Sequence, residues 1–170
     1  MLFDPTIIDN LKVALENEVY DLDNLTGQVR VTNRIDRLDL AVMAREFAIR
    51  LALRDRPDIA AEIRLEASLR DLAAELLELP GETPACTLSI RFELAVEDAD
   101  LQCPRLDEIL RDIWQPEQPP VQTLSYVYGQ AHAIYRCSAE LRFARRIDED
   151  QMGDIPDLVD HVLRTLSALA

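Results

Sequence analysis

From Cys86 to Val96 the chain reads CTLSIRFELAV, and Cys86, Leu88, Ile90, Phe92, Leu94 and Val96 take every second position. A strand turns successive side chains to opposite faces, so this spacing predicts an extended segment with one face in a core. The intervening Thr87, Ser89, Arg91, Glu93 and Ala95 belong to a face that meets something polar. The same alternation recurs over Phe47–Arg54, Glu62–Ala67 and Tyr135–Ala144. A chain that repeats it is organised around a sheet with one apolar and one polar side.

Between the strands the apolar spacing changes to that of helices. Ile7, Ile8, Leu11, Leu15 and Val19 form a stripe after Asp4-Pro5, a good helix start, and Gly27 follows where that helix ends. Val29, Val31 and Ile35 alternate with Arg30, Thr32 and Arg34 as a first strand, with a turn expected at Asp36–Asp39. Leu40–Ala44 is less regular and reads as a bulge or a partly helical start to the next strand. Arg56-Pro57-Asp58 marks a loop. Ser68 precedes Asp71 by three residues, the spacing of a capping box, and opens an amphipathic helix ending before Pro80-Gly81. Pro104 is expected to begin another short helix carrying Leu106, Ile109, Leu110 and Ile113. The proline-rich QPEQPP at Gln115–Pro120 reads as an internal connection, and a last helix starts near Asp154 to Pro156. The order α-β-β-β-α-β-α-β(β)-α predicts an α+β fold. It implies an antiparallel or mixed sheet of 5–6 strands, with about four helices packed mainly on one face, as a single domain over 1–170.

Composition narrows the function. The formal charge of -14 and a pI near 4.5 oppose phosphate backbones and anionic membrane surfaces, so neither nucleic acid nor membrane is an expected partner. No apolar run reaches the roughly 20 residues of a bilayer span, and the N-terminus lacks a basic leader. Three cysteines without CxxC spacing fit a reducing compartment, and the expected location is the cytoplasm.

The cationic residues are unusual in kind, with seventeen arginines and one lysine, Lys12. The strand parity places Arg50, Arg54, Arg64, Arg91, Arg136 and Arg142 on the polar sheet face with Glu62, Glu66, Glu93 and Glu140. Three uses follow from forked, always-charged groups among carboxylates and small residues. They form a solvated layer of cross-strand ion pairs, a protein-docking surface, or an anion site. The expected function is a non-catalytic interaction or assembly protein, meeting a second copy as a homodimer or another protein. Its interface candidates are Arg50, Arg64, Arg91, Arg136 and Arg142. The alternative is a binder of, or enzyme for, a small anionic metabolite using the same arginines.

No motif of a catalytic or cofactor site accompanies them. The four glycines fall in neither phosphate-loop spacing, and HExxH and GxSxG are absent, so no cofactor or metal is expected. His132 and His161 read as structural, although Asp157 and His161 share a helix face with Asp154 nearby. Cys86 and Cys137 read as core thiols, while Cys103 sits beside Pro104 at an expected helix start. Tyr126, Tyr128 and Tyr135 read as core or rim packing, and Trp114 as closing the core.

Overall fold

The computed structural model describes residues 6–130 and 134–170. Asp4, Pro5 and His132, to which the sequence assigns a helix start and a strand start, lie outside the described residues.

Helix α1 (Thr6–Asp21) buries Ile8, Leu11, Leu15 and Val19 and runs into a wide turn over Leu22–Thr26. Gly27 closes that turn with φ at 69°, a backbone state that glycine adopts without steric cost. Strands β1 (Val29–Asp39), β2 (Ala44–Leu53) and β3 (Arg56–Ala67) follow as consecutive hairpins. Helix α2 (Leu69–Leu76), strand β4 (Thr87–Val96) and helix α3 (Ala99–Trp114) come next. Strands β5 (Val121–Ser125) and β6 (Tyr135–Arg142) and helix α4 (Ile155–Leu169) complete the order. The fold is α+β, with one six-stranded sheet in the order β1-β2-β3-β4-β6-β5 and every pairing antiparallel.

One core holds the layers together. Phe47, Ile49, Ile63, Leu65, Ile90, Phe92 and Leu141 project from the sheet into it. Leu11 of α1, Leu72 of α2, Leu110 of α3 and Val162 of α4 meet them from the other side. Each such side chain contributes ~1.5–3 kcal/mol on burial, and this is what holds helices to that sheet face. The capping box forms as its spacing predicts: the Asp71 amide donates to the Ser68 hydroxyl, and the Ser68 amide donates to Asp71.

Four local expectations need correction. The register slips between Val31 and Asn33 of β1. Ile35 therefore pairs with Ala48 on the polar face instead of continuing the Val29–Val31 stripe. Arg34 and Asp36 turn towards α1, where they bond Glu16 and Lys12. A bulge inserts one residue, and a period of two has no way to anticipate it. The β1–β2 turn lies at 40–43, with Met43 at φ 52°, beyond the expected Asp36–Asp39. Arg56-Pro57-Asp58 is the first part of β3, the tight turn being Arg54-Asp55. Pro104 lies inside α3, not at its start. Asp98 caps the helix by accepting from the Leu101 amide, and the Gln102 side chain accepts from the amides of Glu97 and Asp98. With the end so well satisfied, proline one turn further in removes a single backbone donor.

Candidate functional site

The strand register decides which arginines meet. Residues directly opposite in antiparallel strands share a face. Across β2, β3, β4 and β6 one row reads Arg50, Glu62, Arg91, Glu140, with charge alternating at every step. The next row reads Ala48, Arg64, Ser89, Arg142, and the row on the other side Ala52, Ala60, Glu93, Ser138. Arg136 stands opposite Ala95. The five candidate arginines thus occupy one face. Arg54 does not join them: it lies in the β2–β3 turn and bonds Asp23 at 2.6 Å.

Glu62 and Glu93 are sunk against the sheet, with Arg50 and Arg64 half-buried beside them and Arg136 and Arg142 reaching outward. Glu62 is 6% exposed and Glu93 14%, against 62% for Arg136 and 71% for Arg142. One Glu62 oxygen accepts from Arg64 at 2.7 Å and from Arg91 at 3.0 Å. Glu93 accepts from Arg50 at 2.7 Å and from Arg136 at 2.5 Å, with Arg91 3.3 Å from its other oxygen. Arg64 also pairs with Glu46, and Arg142 with Glu140 at 2.9 Å. The Arg50 hydrogen bond, opposed by burial and reinforced by Arg136, holds the Glu93 carboxyl down to about 2. Small residues complete the layer: Ala48, Ala52 and Ala60 are buried on this face between the arginine rows.

This arrangement forms a flat, pre-paired polar sheet face. Beside a wider hollow of about 750 Å³ at the β1–β2 end, which Arg37, Glu46 and Glu66 help to line, a depression of about 320 Å³ over Thr87 and Ser89 is lined by Arg64, Arg91 and Arg142 and equally by Glu62, Glu66 and Glu140. A small anion entering there has to displace carboxylates already paired to the arginines. Glu46 and Arg37, paired at 2.7 Å, extend the network to the β1–β2 corner. Sequence reasoning missed both because it gave Arg37 to the expected Asp36–Asp39 turn and began the clean alternation at Phe47, one residue past Glu46, and the clue was the Arg/Glu alternation continuing towards the hairpin.

The remaining sequence candidates lie elsewhere. His161 Nδ1 donates to the Asp157 carbonyl at 2.7 Å, and its ring packs 5.3 Å from that of Trp114. Among the described residues no group of three His, Cys, Asp or Glu side chains is placed to hold a metal. No helix among the described residues is long and apolar enough to cross a membrane. Tyr126 and Tyr128 are exposed, and Tyr126 meets Tyr135 edge-on at 6.1 Å. Trp114 closes the core between Phe143 and Thr165, as its position at the end of a helical stripe implies.

No protein-family model, curated protein or solved structure matches this chain.

Proposed function

We propose that the protein is a non-catalytic interaction module that self-associates through the sheet face bearing Arg50, Arg64, Arg91, Arg136 and Arg142. One observation carries the reading: this face is charge-balanced on an otherwise strongly acidic molecule. Counting the strand ends Arg30 and Asp39, it holds seven arginines against six carboxylates, while the whole chain carries -14. A second copy approaching elsewhere meets surface of its own sign, and here it does not.

The dimensions agree. Five strand spacings of ~4.8 Å and strands of about ten residues at ~3.3 Å give a face of roughly 800 Å², the area one partner contributes to a standard interface. The helices pack on the opposite face, so this one is reachable without rearrangement. The ion pairs are already formed within one copy, which lowers the ordering cost of association.

Sedimentation across a concentration series tests the reading. The unmodified chain is expected to dimerise, and Arg142→Glu to weaken the dimer about tenfold through a like charge worth ~1.4 kcal/mol. Arg142 suits the purpose because it is exposed and, among the described residues, pairs with the single carboxylate of Glu140. A monomer at every concentration, or a dimer indifferent to this change, overturns the proposal.

A further inference from the structure

Away from the sheet's polar face, Cys103 of α3 and Cys137 of β6 are brought to the same point. Cys137 is fully buried on the apolar side of β6, and Cys103 is partly exposed. Gln122 of β5 clamps them: its Nε2 donates to the Cys103 carbonyl at 2.8 Å, and its Oε1 accepts from the Cys137 thiol at 3.6 Å. Gln122 is thus a hydrogen-bond neighbour of both residues. Burial, followed by the Cys103 sulfur, pushes the Cys137 thiol up to about 11. Cys86 has no such companion. It is buried where its backbone bridges to Ile147, and burial pushes it up to about 12.

The position of Cys103 explains why a thiol pair was not apparent from the sequence. Because α3 begins at Ala99, Cys103 lies inside the helix with its side chain packed against the core, not at the helix end beside a string of aspartates. Only the tie of α3 to β5 through Gln122 sets the two cysteines around one side chain.

We propose that Cys103 and Cys137 form an oxidation site, closing an intramolecular disulfide that ties α3 to β6 when a two-electron oxidant of the peroxide class reaches the partly exposed Cys103. The Cys103 sulfur attacks one peroxide oxygen, the O–O bond breaks, and a sulfenic acid and one water result. The Cys137 sulfur then attacks the sulfenic sulfur. The S–O bond breaks, the S–S bond forms, and the hydroxyl leaves as a second water carrying the Cys137 proton. The net change is the loss of two thiol hydrogens and two electrons to one peroxide. The site is independent of the interaction face, because the two thiols lie on the helix-covered side of the sheet.

The experiment exposes the full chain to hydrogen peroxide, blocks remaining thiols, and maps disulfide-linked peptides under denaturing conditions. Free thiols are expected to fall from three to one. Cys103 should be linked to Cys137, Cys86 should remain free, and a thiol reductant should restore all of them. In Cys103→Ser the linked peptide is expected to vanish while the remaining thiols stay titratable. The proposal is overturned if the treated protein retains all its thiols, if Cys103 proceeds to the sulfinic acid unlinked, or if the bond joins two chains or involves Cys86.

Discussion

Glu93 shows how one side chain can organise a surface. It is the shared acceptor of guanidinium groups from β2 and β6 and lies beside a third on its own strand. Its carboxyl is held down to about 2 from an ordinary 4.5. The folded-state value lies below the unfolded one, so this stabilisation is complete above the ordinary carboxylate range. It is lost as pH falls towards about 2. Glu93→Gln is expected to cost about 1–2 kcal/mol at neutral pH, a figure reduced for the solvent that reaches the arginines. Urea unfolding followed between pH 5 and ~2 should show a flatter acid arm in the variant. Identical pH dependence in both proteins would show that the Glu93 carboxyl titrates alike in the folded and unfolded chain and is not held down. Glu62 is the comparable residue one strand over: removing its carboxylate leaves Arg64 and Arg91 without their common acceptor.

At the level of elements, helix ends and helix contacts carry separable amounts of stability. Ser68→Ala removes the cap of α2 and should lower the unfolding free energy by about 1 kcal/mol. On the other side of the molecule the Trp114 indole of α3 donates to Thr165 of α4 at 2.9 Å, and the Thr165 hydroxyl donates in turn to the His161 carbonyl. Thr165 is fully buried. Thr165→Val keeps the shape and deletes the acceptor, leaving the indole N–H unpartnered at an expected cost of about 1–3 kcal/mol. Thermal unfolding of the two variants and of their combination should show additive losses, since α2 and the α3–α4 contact share no side chain. Capping and apolar stripes were readable before any coordinates because they are local. The β1 bulge was not, because it answers to α1: Arg34 and Asp36 find partners there only after the slip.

For the whole molecule, the division of labour between the two sheet faces matters most. One is closed by four helices. The other is closed by its own ion pairs, which leave a surface that is flat, neutral and open. Dimerisation through that face should weaken as salt screens the exposed guanidinium groups at the rim, and sedimentation at low and at ~0.5 M salt measures this directly. An association that strengthens with salt instead would point to an apolar contact, such as the exposed Leu40 and Val42 at the β1–β2 tip.

The sequence by itself determined the alternation of faces, the α+β order and the placing of Arg50, Arg64, Arg91, Arg136 and Arg142 on the polar side, though not that of Arg30, Arg37 or Arg54. These depend on periods of two and of 3.6 that each segment carries within itself. Tertiary structure decided what the arginines do. Whether a guanidinium is free or paired depends on the residue opposite it in another strand, and strand register is set by turns, bulges and helix packing far along the chain. The neighbourhood of Cys103 and Cys137 was decided the same way, by a tertiary contact through Gln122 that no local pattern encodes.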